Sequence, residues 1–144
     1  MTLSREMLEA SPLASELPVE AVAAAIDASL ACQQSCASCA DSDLAEEDVA
    51  AMARCVALCV ACADVCTTTA RVLSRRFAAN HRVTHHILRA CVLACSDCAE
   101  ECERHAAHHR HCALCAKTCR ACVSACQGLL TAEEFAALEN LAGA

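Results

Sequence analysis

The chain has 144 residues, a net charge of −7, eleven Lys and Arg residues, two Gly, two Pro and two aromatic residues. A sheet protein would use more β-branched and aromatic residues and more turn formers, so this composition points to an all-α protein. The scattered basic residues form no stripe with interleaved aromatics, which speaks against nucleic acid as a partner. No apolar run approaches the ~18 residues of a membrane span, which speaks against a membrane.

In chain order, "SREMLEA" predicts a short helix over about residues 3–10. Pro18 suits a first helical position and opens a long helix running to about Ala40. The polar "DSD" breaks it. Asp43 followed by Glu46 reads as a capping box that starts a second helix, which continues to about Ala79. Asn80 and His81 form a turn, and a third helix covers about Val83–Ala107. A fourth, starting after "HAAHHRH", ends at Gly128, a favourable residue just past a helix. Thr131 with Glu134 then caps a short terminal helix over about 131–142. Four long helices with short connections predict an antiparallel up-down four-helix bundle over residues 18–128, within a single domain spanning 1–144.

Sixteen of the residues are Cys, and all lie in four ladders. Helix one carries Cys32, Cys36 and Cys39; helix two carries Cys55, Cys59, Cys62 and Cys66. Helix three carries Cys91, Cys95, Cys98 and Cys102; helix four carries Cys112, Cys115, Cys119, Cys122 and Cys126. Every gap within a ladder is three or four residues, the spacing that keeps side chains on one helix face and forms the a/d seam of a bundle. Leu88, Leu129 and Leu73 continue the same stripe, so the thiols are expected to face inward. At ~1.5 Å per residue, Cys112 to Cys126 covers about 21 Å of helix axis. A core of small Cys and Ala side chains fills space poorly, which suggests that something else occupies it.

Three chemistries compete for such a tube. Disulfides between facing helices are possible, giving a structural helical module, but neighbours on one helix are poor partners. The N-terminus lacks the basic and apolar pattern of a secretory signal, so a chain that begins here is expected in the cytosol, where thiols stay reduced. Zinc favours isolated four-thiolate sites of net charge −2, and four of them would bury about −8 in a seam with no Lys or Arg. Iron–sulfur clusters share that difficulty. Cu(I) is soft and accepts low coordination numbers. With bridging thiolates it approaches one ion per Cys, each Cu⁺ replacing one H⁺, and the core stays near neutral. Ag(I), Cd(II) and Zn(II) remain as alternative thiophilic ions.

Four helices carrying inward Cys-x-x-x-Cys and Cys-x-x-Cys repeats over residues 18–128 resemble the cytosolic bacterial copper storage proteins. The resemblance implies a four-helix bundle holding many Cu(I) ions, assembly as a homotetramer, and a His-lined mouth. A copper chaperone is a possible partner.

In an up-down bundle the one–two and three–four connections share one end. There His105 follows Cys102 by three, His109 follows it by seven, His108 precedes Cys112 by four, and Met52 precedes Cys55 by three. These four are candidate ligands at a mouth, with Asp48, Asp41 and Asp43 close by. His111 is expected to be exposed. The opposite end, with Ile26, Leu30, Leu73, Phe77, Leu88, Leu129 and Leu130, is expected to be sealed. His81, His85 and His86 lie there and read as solvated, although His81 and His85 form an i, i+4 pair able to hold a surface metal. Asp64, Asp97, Glu100, Glu101 and Glu103 read as outer faces. Val56, Val60, Val92 and Leu93 are available to pack against another subunit. Nothing resembles a set of nucleophile, base and orienting group, so no enzymatic activity is expected.

Overall fold

The computed structural model describes the backbone of residues 1–142 and side chains through Glu134. Five α-helices follow in order: α1 (Leu3–Ala10), α2 (Val19–Leu44), α3 (Ala53–Leu73), α4 (His81–His105) and α5 (Arg110–Ala142), with a 3-10 turn at Val49–Met52 before α3. Helix α2 packs on α3 and α5, and α4 packs on α3 and α5, so the four long helices form an up-down ring. Helix α1 lies against α2. Its N-cap Thr2 accepts a hydrogen bond from the Arg5 backbone N–H, and Leu8 is its buried residue. Arg5 pairs with Glu9 at 2.8 Å and with Glu20 at 3.1 Å, which ties α1 to α2.

The ladders hold the core together as expected. All sixteen Cys are buried, and they are flanked by Ile26, Leu73, Leu88 and Leu129 at one end and Met52 at the other. These leucines close that end much as expected, but Phe77 and Leu30 do not help, being 87% and 46% exposed. Both lie off the inner stripe: Phe77 falls beyond the end of α3, and Leu30 is two residues from Cys32.

Several boundaries differ from the sequence reading. "DSD" does not end α2, and Asp43 is no N-cap. It sits inside the last turn of α2, fully buried. Helix α3 stops at Leu73, not Ala79, and Ala78 takes a left-handed φ of 54° in the connection. Asn80 is the true cap, accepting from the N–H groups of Arg82 and Val83 at 3.1 and 3.2 Å. Gly128 does not stop the fourth long helix. Helix α5 passes through it to Ala142, so no separate terminal helix forms. A mid-helix Gly costs about 1 kcal/mol relative to Ala, and the burial of Leu129 and the partial burial of Leu130 outweigh it.

Hydropathy also needs amending. Val49–Leu73 is long and apolar enough to cross a membrane by composition, with mean hydropathy 2.0 over its best window. Four of those residues are thiols buried inside the bundle, and the Val, Leu and Ala residues between them supply most of the remaining hydropathy.

Candidate metal centre

The thiols form overlapping layers along the bundle. Nearest the closed end, Cys91 lies 3.9 Å from Cys66 and 3.8 Å from Cys122, sulfur to sulfur. In the next layer Cys32 meets Cys62 and Cys95 at 3.8 Å and Cys119 at 3.5 Å. Above that, Cys36 meets Cys98 and Cys119 at 3.8 Å and Cys115 at 3.7 Å. Toward the mouth Cys55 meets Cys102 at 3.7 Å, and Cys39 meets Cys112 at 3.9 Å. All sixteen thiols are free.

Layering follows from helix geometry. Gaps of three and four alternate on each strand of the bundle, so each turn offers one inward sulfur and four helices supply four per level. Several quartets have all their ligand atoms within 4.8 Å of one another: Cys32 with Cys66, Cys95 and Cys122; Cys32 with Cys36, Cys62 and Cys119; Cys36 with Cys98, Cys115 and Cys119; and Cys39 with Cys59, Cys102 and Cys115. Cys32, Cys36, Cys115 and Cys119 each belong to two of these quartets. Thiols shared between neighbouring sites are what a continuous bridged cluster needs, and what isolated sites avoid.

Distance alone does not choose the metal. A tetrahedral zinc site with Zn–S near 2.3 Å also sets its sulfurs ~3.8 Å apart. Charge does choose. The buried polar and charged residues among those described are Ser29, Asp43, Thr69 and Glu101, with no buried Lys or Arg. Ser29 contacts Cys122 at 3.7 Å, and Thr69 donates to the Val65 carbonyl of its own helix at 2.8 Å, so neither brings positive charge. Without cations a thiolate in this dry seam is costly, and burial is the largest cause that pushes the Cys112 thiol up.

The mouth is built differently from its sequence reading. His111, expected to be exposed, turns inward from the first turn of α5. Its Nδ1 lies 3.3 Å from Cys39 Sγ and 3.6 Å from Cys112 Sγ. The buried Asp43 completes the group: the Cys112 thiol donates to its Oδ1 at 3.6 Å, and Cys39, Asp43, His111 and Cys112 converge as a mixed quartet. Burial raises the Asp43 carboxyl to about 7, helped by Cys55, and its Oδ2 has no hydrogen-bond partner. His109 stacks on His111 at 5.6 Å and reaches Glu46 and Asp48 at 3.3 Å each. His105 lies one step out, 6.4 Å from His109, with Nε2 3.2 Å from Glu101 Oε1. Met52 is buried at the end of the 3-10 turn. His108 is exposed, apart from the thiols. Its four-residue spacing from Cys112 assumed a continuous helix, but α4 ends at His105 and α5 begins at Arg110. Glu101 is not on an outer face. Its side chain is 7% exposed and sits among His105, Arg54 and Arg104.

An all-thiol core inside a four-helix bundle, with an imidazole reaching the outermost thiols at the mouth, defines a multi-site soft-metal protein. The sequence profile of the copper storage protein family matches residues 19–131, and the chain belongs to that family. Among solved structures, the copper storage protein Ccsp of Streptomyces lividans loaded with 10 copper equivalents is 43% identical. It superposes with a TM-score of 0.87 over 90% of this chain and 98% of its own. A cytosolic copper storage protein from Streptomyces lividans with five coppers is 47% identical, with a TM-score of 0.77 over 78% of this chain and 93% of its own. No curated protein sequence matches the chain.

Proposed function

We propose that this chain stores Cu(I) in the cytosol, its sixteen Cys thiolates lining the bundle as bridging ligands. The observation that carries the reading is the sharing of Cys32, Cys36, Cys115 and Cys119 between adjacent quartets in a core without a buried Lys or Arg. One monovalent ion per thiolate leaves such a core neutral, whereas four separate divalent sites would leave about −8 inside it. The Streptomyces relatives carry several coppers, and one is described as cytosolic, which supports both the ion and the compartment. The role is storage, and the chemistry it uses is ligand exchange with no turnover.

Uptake runs through the mouth. His109 and His111 offer imidazoles in sequence, with His105 beside them, and Cys39 and Cys112 are the first thiols behind. Met52 lies at the same level as a thioether donor. His111 and Asp43 join the sequence-derived ligand set, and His108 leaves it. Exposed Val60 and Leu93, 49% and 65% exposed, give α3 and α4 an apolar outer face suited to a homo-oligomer. The tetramer and a copper chaperone as donor are the partners this reading favours.

Competition with a strong Cu(I) chelator tests the reading. Uptake on the order of one ion per thiol is expected, with nearly all thiols reactive on unfolding without reductant. Saturation near four ions, or selective retention of zinc, would favour isolated sites. Thiols missing from the count would favour a disulfide-bonded module.

A further inference from the structure

The closed end of the bundle holds a second set of metal-ligating side chains that the thiol core does not use. His81 and His85 stand four residues apart on the first two turns of α4, on one helix face. Glu133 of α5 approaches them from the neighbouring helix. Its Oε1 lies 3.6 Å from His85 Nδ1, too far for a good hydrogen bond. Its Oε2 is buried and has no hydrogen-bond partner. The Glu133 side chain is only 13% exposed. Burial pushes its carboxyl upward, opposed by the positive potential of His85 and His81. Glu16, from the segment before α2, reaches His81 Nε2 at 3.0 Å. Two imidazole–carboxylate pairs, His81 with Glu16 and His85 with Glu133, thus stand on the first two turns of α4, their carboxylates coming from two other segments.

We propose that His81, His85 and Glu133, with Glu16 at the rim, bind one divalent cation of the zinc type, independently of the thiol core. A simple His85–Glu133 ion pair is the competing description, and it fits less well. It leaves the contact long and one carboxylate oxygen buried without a partner, an arrangement that costs free energy. A cation satisfies both oxygens and both imidazoles. With ligand bonds of about 2.0–2.2 Å, tetrahedral donors stand ~3.4 Å apart, close to the contact between His85 and Glu133. Two His four apart on a helix, with a carboxylate from elsewhere, is a pattern that holds zinc. Nitrogen and oxygen donors suit a borderline divalent ion, while soft Cu(I) prefers the thiolates, so the two sites sort metals by chemistry. The bound ion ties α4, α5 and the segment before α2 together at the end away from the mouth.

Co(II) is the probe, titrated into the full chain already carrying Cu(I), so that the thiols are occupied. One equivalent is expected to bind with visible ligand-field bands and no thiolate-to-cobalt charge transfer. Affinity is expected to fall about tenfold or more in His85→Ala and in Glu133→Gln, and to stay unchanged in His86→Ala, an exposed neighbour. Cu(I) capacity, measured separately, is expected to be the same in all four proteins, so failure of the storage reading would show there and not here. Absence of cobalt binding, a thiolate band alone, or nitrogen- and oxygen-bound cobalt that is indifferent to both His85→Ala and Glu133→Gln would overturn the proposal.

Discussion

His111 bridges the inside and the outside of the bundle: its Nδ1 lies 3.3 Å from Cys39 Sγ, while its Nε2 lies 3.1 Å from Glu46 Oε1 at the rim. An imidazole held in this way can take an ion from solvent and present it to the first thiols. His111→Ala is expected to slow uptake of the first copper about tenfold or more, while final capacity falls by about one ion at most. Stopped-flow mixing followed by chelator titration checks both. A large loss of capacity with unchanged kinetics would mean that ions reach the core by another route.

Asp43 gives the metal-free protein a pH dependence. Its folded value, about 7, lies above the usual carboxylate range because the group is buried. The unfolded chain ionises at lower pH, so the contribution of Asp43 to stability is fully present below the unfolded value. It is lost as pH rises toward and through about 7. Denaturant unfolding of the metal-free protein between pH 4 and pH 8 is expected to show this decline. Asp43→Asn, which cannot ionise, is expected to flatten it.

Position along the tube decides what a thiol is worth. Cys36 touches Cys32, Cys98, Cys119 and Cys115 at 3.9, 3.8, 3.8 and 3.7 Å and belongs to two quartets. Cys126, at the closed end, has Cys91 and Cys122 as its thiol neighbours. Cys36→Ala is expected to remove about two ions and Cys126→Ala about one, because bridging thiolates serve more than one ion. Mass spectrometry of the loaded proteins counts them directly. Equal losses would argue against a shared cluster.

Leu88 separates stability from storage. It is fully buried beneath the lowest thiols. Leu88→Ala is expected to destabilise the metal-free protein by about 2–5 kcal/mol in denaturant unfolding, with copper capacity unchanged. Loss of capacity in a still-folded variant would show that this end is part of the metal path.

Helix class, ladder direction and the thiol-lined core are legible in the sequence because they follow from one rule: residues three and four apart share a face. The features that escape it depend on contacts between helices. Gly128 looks like a stop signal, yet the buried Leu129 beyond it carries the helix on. Asp43 and Glu46 have the spacing of a capping box, but Asp43 finds the thiol of Cys112 across the bundle. His108 and His111 exchange roles because the break between α4 and α5 resets helical register just before Cys112. The adjacency of His111 to Cys112 in "HHRHC" was a usable signal, given that a first helical turn can direct an imidazole over the bundle's end. Glu101 resembled its solvated neighbours, and only the fold brings His105, Arg54 and Arg104 around it.

Storage by one-for-one replacement of thiol protons makes its most direct claim on proton counting. Weakly buffered metal-free protein, loaded to saturation with Cu(I), should release on the order of sixteen protons in total, about one for each copper bound at the end point. Release of two or more protons per ion, with loading finished after a handful of ions, would mean separate charged sites and would contradict a neutral, continuous copper–thiolate core.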